Sequence, residues 1–241
     1  MTADTRTSDR DRDTFHANRA KRYDDTIRRV IPGYDALHSM TGVMLKDAVP
    51  ADGRVLVVGA GTGAELLALG QAAPGWSFTA CDPAAGMLAI AEDRIKGHPV
   101  AERCGLHPCL CADLPAEETA FDAATCLLVM HFLPDDGTKL TLLKSIAERL
   151  KPGAPLILAD MHETPGSPRH QLIMDAWMHW QLGNGIDPVE VEKGRRHVER
   201  DVHFVPLSRL TALLDEAGFT APEHFFQAFL FGGFIAWRKE D

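Results

Sequence analysis

The chain has 241 residues, of which 45% are hydrophobic and 24% charged, a composition typical of a folded globular domain and not of a disordered chain. The formal net charge of −9 argues against a protein that coats nucleic acid or an anionic membrane through bulk electrostatics. No apolar run approaches the ~18 residues of a membrane span, and residues 1–16 are too polar for a signal peptide, so we expect a cytoplasmic protein with no membrane partner.

The N-terminal part is predicted to be helical after a short tail. Residues 1–14 alternate charged and small polar residues, which predicts a disordered tail. A helix is predicted from Phe15 until the Pro-Gly pair at 32–33 breaks it, and apolar residues at helical spacing predict a second helix over 35–48. We interpret residues 15–49 as a helical lid.

After Gly53 the pattern changes to alternating strands and helices. Short apolar runs, typical of buried parallel strands, predict strands over 55–58, 77–81, 106–112, 123–129 and 155–159, with helices over 64–72, 85–95 and 140–150. Such alternation builds stacked βαβ units on a parallel sheet. The prediction is a doubly wound α/β fold in one domain that spans residues 15–241.

Residues 166–200 depart from this alternation. They predict a helix followed by a glycine- and charge-rich loop through 194–196, and we interpret the segment as an insertion on the acceptor side of the domain. Ser208 is predicted to cap a further helix, which ends at Gly218.

The C-terminus is predicted to be a β-hairpin. Two apolar runs, 224–229 and 234–238, flank Gly232 and Gly233, and paired glycines between strands are a turn signal. An antiparallel hairpin that closes a parallel sheet is unlike the nucleotide dehydrogenases, which usually repeat a second βαβ half.

The first strand runs directly into a glycine-rich turn, GAGTG, and then into a helix. This arrangement places bare backbone N–H groups and the positive end of a helix at the carboxyl edge of the sheet. The next strand ends in Asp82, whose carboxylate can accept hydrogen bonds from ribose hydroxyls. The dinucleotide pattern is G-x-G-x-x-G/A, and Gly63 falls one place before its third glycine. At this point the cofactor can be either a dinucleotide or another nucleoside.

Further motifs decide between these cofactors, because the chain resembles the class I S-adenosylmethionine-dependent methyltransferases over about residues 50–160. The motifs are the glycine-rich turn, DPAAGML at 82–88, ADLP at 112–115, MHFLPD at 130–135 and LKPGA at 150–154. The resemblance implies a Rossmann-like sheet of seven strands, mostly parallel with the C-terminal hairpin antiparallel, S-adenosylmethionine as the cofactor, and methyl transfer.

The family pattern also implies where the cofactor would lie. The glycine-rich turn would face its amino-acid half, Asp82 would bind the ribose and Asp113 the adenine amino group. Leu127 lies where the residue after the fourth strand meets the sulfonium end. Catalysis in such enzymes is largely positioning, since holding the acceptor in line with the methyl–sulfur bond lowers the barrier.

Two segments outside this region resemble a narrower family, the carboxy-S-adenosylmethionine synthases. They are YDDTIRRVIPGY at 23–34 and FFQAFLFGG at 225–233. Enzymes of that family use prephenate to carboxylate the methyl group of the cofactor, for modification of the wobble uridine of transfer RNA. This resemblance implies that Tyr34 and an arginine, Arg195 or Arg196, contact the cofactor, and the planar fork of an arginine suits a carboxylate. Together the two resemblances imply a set of cofactor-binding residues: Tyr23, Tyr34, Gly59, Ala60, Gly61, Gly63, Asp82, Pro83, Met87, Asp113, Leu114 and Leu127.

The acceptor side differs from that narrower family. Leu127 stands where the family has a polar residue, and Asp160-Met161-His162-Glu163 replaces a serine-glutamate-lysine type of sequence. Because these differences lie where the second substrate would bind, we predict ordinary methyl transfer and keep carboxylation as the alternative.

Three residues are candidates for catalysis. Asp160 and His162 follow the fifth strand, at the edge where α/β sheets bind substrates, and His131 follows the fourth. Each could move a proton or orient the acceptor. The alternatives are a structural histidine in the turn and solvated loop residues.

Four residues are candidates for binding the acceptor. Trp177 and Trp180 lie three apart on a predicted helix, where they form either an aromatic lid or part of the core. Arg195 and Arg196 either bind a carboxylate or form a solvated surface. Acidic residues are interleaved with these arginines, which argues against direct binding of nucleic acid.

The five cysteines are scattered through apolar segments, which favours reduced thiols over a disulfide framework. Cys104, His107, Cys109 and Cys111 lack the spacing of paired zinc knuckles, and His131, His162, Glu163 and His179 include no i,i+4 ligand pair. We therefore predict no metal site.

The sequence as a whole predicts methyl transfer from S-adenosylmethionine to a small-molecule acceptor. Three alternatives stay open: a carboxy-S-adenosylmethionine synthase, a nucleotide-dependent oxidoreductase, and a non-catalytic scaffold subunit that binds the cofactor. The aromatic C-terminal hairpin and the tryptophan-bearing helix also make a homodimer plausible.

Overall fold

The computed structural model describes residues 25–240. The predicted tail over 1–14, the start of the first predicted helix and Tyr23 lie outside the described residues. Residues 25–30 are helical, and the chain turns at 31–33, where the Pro-Gly pair was predicted to break the helix. No helix in the described range is both long enough and apolar enough to cross a membrane.

Seven helices and seven strands follow. The helices are α1 (Tyr34–Lys46), α2 (Ala64–Ala72), α3 (Ala85–Ile95), α4 (Thr138–Ala147), α5 (Pro168–Gly183), α6 (Pro188–Asp201) and α7 (Leu207–Glu216). The strands are β1 (Arg54–Val58), β2 (Ser77–Cys81), β3 (Cys104–His107), β4 (Ala123–Leu127), β5 (Pro155–Met161), β6 (Glu223–Ala228) and β7 (Phe231–Trp237). Short 3-10 turns span Pro99–Arg103, Cys111–Asp113 and Met130–Phe132.

The strands form one sheet in the order β3-β2-β1-β4-β5-β7-β6. The first five strands run parallel, and the β6–β7 hairpin is antiparallel, with β7 paired to β5. This topology confirms the predicted doubly wound sheet with an antiparallel C-terminal hairpin. The strand order reverses between β1 and β4, and in open α/β sheets ligands bind at the carboxyl edge of such a switch point.

The sheet is buried on both faces, as a parallel sheet covered by helices requires. One apolar cluster packs α4 and α7 on the sheet, and a second packs α1, α2 and α3 on its other face. All five cysteines are free, and Cys81, Cys111 and Cys126 are buried in the first cluster.

A third apolar cluster joins α5 and α6 to the chain around Ile31 and to the β6–β7 turn. The indole Nε1 of Trp177 donates to the carbonyl oxygen of Val30 at 2.7 Å, and that of Trp180 to the carbonyl oxygen of Arg29 at 3.1 Å. Segment 166–200 thus fixes the described end of the N-terminal segment to the body of the domain.

The predicted third strand over 106–112 was wrong. β3 spans Cys104–His107 and is followed by a 3-10 turn at Cys111–Asp113. Pro108 explains the difference, because proline has no N–H to donate to the neighbouring strand and ends the ladder there.

The predicted loop through 194–196 was also wrong, because this stretch lies inside α6. Asp187 caps the helix by accepting from the backbone N–H of Val189, and Pro188 occupies the first helical position. Ion pairs at i,i+4 spacing along the helix, such as Arg195 with Glu199, offset the low helix propensity of Gly194.

Two smaller predictions near the C-terminus were wrong. α7 begins at Leu207 with Pro206 at the N-cap position and no side-chain cap, so Ser208 lies within the helix. Gly232 and Gly233 lie inside β7 and not in the hairpin turn. The reason is packing, since a Cβ atom on Gly232 would come within 2.5 Å of the His162 ring.

Candidate cofactor and substrate site

A cavity of about 330 Å³ opens at the carboxyl edge of the sheet, where the strand order reverses between β1 and β4. This volume lies in the range of small-molecule sites. The lining residues come from α1 and from the segments that follow β1, β2 and β4: Tyr34, His38, Gly59, Ala60, Gly61, Thr62, Ala64, Glu65, Asp82, Pro83, Met87, Leu127, Leu128, Val129, Phe132 and Leu133.

The glycine-rich turn after β1 requires glycine for two reasons. Gly59, Gly61 and Gly63 all have positive φ, at 75°, 52° and 77°, a region that other residues rarely adopt. A Cβ atom on Gly59 would also lie 2.2 Å from the Val129 side chain. The turn therefore brings backbone, and not side chains, to the cavity wall.

Asp82 joins two of the loops that form the cavity. Its Oδ2 accepts from the backbone N–H of Gly61 at 2.9 Å, and its Oδ1 accepts from that of Ala84 at 2.8 Å. The carboxylate is thereby fixed and half-buried in the cavity wall. A carboxylate has about four acceptor positions, so it keeps capacity for ribose hydroxyls.

Most of the residues that the resemblance implied lie around this cavity. Those that line it are Tyr34, Gly59, Ala60, Gly61, Asp82, Pro83, Met87 and Leu127, and Gly63 ends the turn beside them. Asp113 and Leu114 lie at the 3-10 turn after β3, outside the lining, and Leu114 is buried in the core. The role of each residue in cofactor binding stays a prediction.

The structure brings two of the three catalytic candidates together. Asp160 Oδ1 accepts from the backbone N–H of His131 at 2.8 Å and from its ring Nδ1 at 2.5 Å, and both residues are buried. Lys139 is buried nearby and donates from Nζ to the carbonyl oxygen of Met130 at 2.7 Å, and burial lowers the pKa of its ammonium group. The pair sits directly behind the cavity wall, with the His131 ring 4.2 Å from that of Phe132.

His162 lies apart from this pair. Its Nε2 is 3.1 Å from Oε1 of Gln227 on β6, and its ring meets Phe234 at 5.2 Å. Burial lowers the pKa of His162, because a neutral imidazole is favoured in apolar surroundings. The environment of His162 is therefore the hairpin and not the cavity.

The four candidate acceptor-binding residues are engaged elsewhere. Trp177 packs edge-to-face on Phe231, in the same cluster that pins the N-terminal segment. Arg195 pairs with Asp175 at 3.1 Å and with Glu199 at 3.0 Å, and Arg196 pairs with Glu192 at 2.9 Å. None of Trp177, Trp180, Arg195 and Arg196 lines the cavity within residues 25–240.

Glu65 and His38 were not predicted as site residues from the sequence, and both are buried at the cavity wall. Glu65 is the one charged residue of α2, AELLALGQA, and it lies in the first turn after the glycine-rich loop. That isolated charge in an apolar helix was the signal available. Across the described residues, no three histidine, cysteine or acidic side chains are grouped so as to hold a metal ion.

Comparison with known proteins gives a consistent family relationship. Residues 56–156 match the model of a methyltransferase domain. Over 224 residues the chain is 25% identical to the carboxy-S-adenosyl-L-methionine synthase of Aeromonas salmonicida (strain A449), covering 91% of this chain and 88% of that protein.

Solved structures show the same fold. A possible exported protein of Bordetella parapertussis superposes with a TM-score of 0.64 at 25% identity, covering 84% of this chain and 67% of that one. A S-adenosylmethionine-dependent methyltransferase of Methanosarcina mazei superposes with a TM-score of 0.61 at 18% identity, covering 82% of this chain and 98% of that one.

The cavity fits S-adenosylmethionine on its own features. A fixed carboxylate stands where a ribose would bind, backbone replaces side chains along the glycine-rich turn, and the cavity wall has the carboxyl groups of Glu65 and Asp82 to balance a cation. When bound, this cofactor supplies an electrophilic methyl group on a sulfonium. The chain thus carries a methyltransferase domain over residues 56–156, with S-adenosylmethionine as its cofactor, on the fold of the class I methyltransferases, and it is similar over most of its length to the carboxy-S-adenosylmethionine synthases.

Proposed function

We propose that the protein transfers the methyl group of S-adenosylmethionine to a small-molecule acceptor. The observation that carries this proposal is the charge of the cavity wall. Among the described residues that line the cavity, the acidic side chains are Glu65 and Asp82, the imidazole of His38 is also present, and there is no lysine or arginine. Such a wall suits the sulfonium cation, whereas a carboxylated cofactor would bring an additional anion that no cation there would balance.

The environment of Arg195 supports the same choice. In a carboxylating enzyme of the related family an arginine at this place would hold the added carboxylate. Here its guanidinium is shared between Asp175 of α5 and Glu199 of α6. Two of its three nitrogens are therefore engaged, and the two neighbouring carboxylates would repel a substrate carboxylate that approached it.

The main catalytic task of the protein is to position the acceptor against the methyl donor. Leu127, Leu128 and Val129 form an apolar wall after β4, which keeps water from the reacting groups and holds the acceptor against the methyl donor. A general base is needed only if the acceptor must lose a proton. With Nδ1 held by Asp160, Nε2 of His131 is the nitrogen left to accept a proton, but the neighbouring Phe132 lines the cavity and His131 does not.

We therefore infer that Asp160 and His131 act first as positioning residues. They fix the 3-10 turn Met130–Phe132, and this turn places Phe132 and the following leucine in the cavity wall. Direct proton transfer by His131, and by His162 at the hairpin, stays a prediction.

The first experiment is mass spectrometry of the small molecule that co-purifies with the recombinant protein. S-adenosylmethionine or its demethylated product supports the proposal and directs effort to screening acceptors with a methyl-labelled cofactor. Labelled product together with S-adenosylhomocysteine is the expected outcome of that screen. Cofactor binding without turnover on any small molecule would instead favour the scaffold function.

A carboxy-S-adenosylmethionine synthase is the second candidate, because relatives of that name match this chain over nearly its whole length. A co-purified cofactor with a carboxyl group in place of one hydrogen would overturn methyl transfer in its favour. In that case Arg195→Ala and Arg196→Ala identify the arginine whose loss abolishes the carboxylated ligand. Arg200→Ala is the matched control, since Arg200 is exposed on the same helix and pairs with Asp201.

A homodimer, a cytoplasmic location and the absence of a nucleic-acid partner stay predictions. Trp180 and Leu182 on α5 and Val189 on α6 are exposed apolar side chains that a second copy would cover. Light scattering on the purified protein measures the oligomeric state directly.

A further inference from the structure

Glu65 is a buried acidic residue that belongs to none of the motifs above. Its side chain lies in the cavity wall, yet only 5% of the residue is exposed. Its Oε1 atom has no hydrogen-bond partner among the described residues. The neighbouring Thr125 hydroxyl, whose oxygen is likewise unpartnered, interacts with this carboxyl, and a cationic group of a ligand in the cavity would complete the interactions of Glu65.

The position of Glu65 defines what that partner is. The residue follows the glycine-rich turn by two positions and faces Thr125, which lies two residues before Leu127 on β4. It therefore sits between the turn that would face the amino-acid half of the cofactor and the strand end that would face its sulfonium. Those are the two cationic groups of S-adenosylmethionine.

The surroundings of Glu65 favour a neutral carboxyl when no cation is present. Burial raises its pKa from 4.5 to about 7, and the neighbouring Thr125 hydroxyl opposes this effect only in part. The titratable groups on the elements around it are His38 of α1, Asp82 after β2 and Cys126 of β4, and Cys126 also interacts with Asp160 and with the buried Lys139. Neither Asp82 nor Cys126 offers a positive charge to an ionised Glu65.

We propose that Glu65 is the counter-ion for the cationic half of the cofactor and that it gives up its proton when the cofactor binds. Its carboxylate would then lie beside the ammonium and sulfonium groups, and its negative charge would offset part of the positive charge that they bring into the site. The reaction product S-adenosylhomocysteine lacks the sulfonium charge. Glu65 therefore discriminates between substrate and product forms of the cofactor, whichever acceptor the enzyme uses.

The first test is calorimetry of cofactor binding to the unmodified protein between pH 5.5 and 7.5, a range chosen to lie below the titration of an α-amino group. The affinity for S-adenosylmethionine should rise with pH until about 7 and then level off. The affinity should increase about tenfold in total for each unit by which cofactor binding lowers the pKa of Glu65. Heats measured in two buffers of different ionisation enthalpy should show a proton released, and S-adenosylhomocysteine should show a smaller release.

The second test uses Glu65→Gln, which keeps the shape of the side chain and removes its charge. We expect the pH dependence and the proton release to disappear and S-adenosylmethionine to bind at least tenfold more weakly at pH 7.5, with a smaller effect on S-adenosylhomocysteine. Glu148→Gln, an exposed carboxyl outside the cavity lining, is the control that should change nothing. His38→Asn removes the imidazole from the cavity wall and should leave the proton release in place.

Two results would overturn the proposal. One is an unmodified protein whose heat of binding does not depend on the buffer, a measurement that requires no variant to fold. The other is a folded Glu65→Gln variant that keeps the same ratio of affinities for S-adenosylmethionine and S-adenosylhomocysteine. Both concern binding alone, so either leaves the proposed methyl transfer to be judged by its own acceptor screen.

Discussion

Burial of Glu65 has a consequence for the stability of the protein without its cofactor. The carboxyl group has a pKa of about 7 in the folded chain and 4.5 ordinarily, so the folded state holds the proton more tightly than the unfolded state. The stabilisation that this proton provides is complete below pH 4.5, is lost as the pH rises towards 7, and does not change further above that. Replacing the side chain by glutamine removes this dependence.

The magnitude follows from the two pKa values. At ~1.4 kcal/mol for each pH unit, the interval from 4.5 to about 7 corresponds to about 3 kcal/mol in the free energy of unfolding. Because Glu65 is almost fully buried, solvent screening does not reduce this value appreciably. For a domain of this size the difference equals roughly 6 to 12 °C in melting temperature.

The assay is urea unfolding of the cofactor-free protein and of its Glu65→Gln variant at several pH values from 5 to 8. The variant should gain stability relative to the original protein as the pH rises, and the gain should reach its full value near pH 7. Only the difference between the two proteins is interpreted, since other groups titrate equally in both. A difference that stays constant across the series would refute the reasoning, because it would mean that Glu65 does not change its protonation in this range.

Three further predictions follow from the same structure. Asp82→Asn should weaken cofactor binding about 10- to 100-fold, as measured by calorimetry. The reason is that a neutral amide loses the charge-assisted hydrogen bonds of the carboxylate, which contribute ~1.5–3 kcal/mol each. An unchanged affinity would exclude a role of Asp82 in binding. The Gly59→Ala variant should have its unfolding midpoint at a lower urea concentration than the Gly137→Ala variant. A Cβ atom at position 59 would lie 2.2 Å from a side chain, whereas one at position 137 would have nothing within 4 Å. Equal midpoints would contradict this packing. Trp177→Phe should speed hydrogen exchange in residues 25–33, because the indole bond to the Val30 carbonyl is lost, and unchanged exchange would show that this bond does not fix the segment.

The sequence predicted the fold where the signals were local. The bounds of α2, β2 and α3 agree with those expected. A glycine-rich turn precedes α2, β2 is a run of mostly apolar residues, and α3 has clear helical periodicity. Where one residue overrides its neighbours the expectation was wrong, as at Pro108, which ends β3 early. The prediction from charge was also wrong: the charged residues of α6 suggested a loop, although their ion pairs stabilise a helix.

The site was predictable to the extent that it depends on motifs. Asp82 and the glycine-rich turn lie together at the cavity because consecutive βα loops meet at one edge of a parallel sheet. The bond between His131 and Asp160 joins residues 29 positions apart, and their spacing carries no sign of it. For Glu65 the sequence offers only an isolated charge in an apolar helix, because its neighbour Thr125 belongs to a strand that is distant in the chain.

The difference between methyl and carboxyl transfer is, in this protein, a question of where cations and anions are placed. A cofactor that gains a carboxylate needs a positive partner beside the methyl position. Arg195, the arginine that the family resemblance assigns to this role, already has two carboxylate partners outside the cavity. Glu65 makes the wall itself a source of negative charge once it ionises. An added carboxylate would therefore face repulsion from Glu65 and would oppose its ionisation. The proton released on cofactor binding accordingly distinguishes the two activities: S-adenosylmethionine should release more of it than a carboxylated cofactor, whose added anion offsets one of its two positive charges.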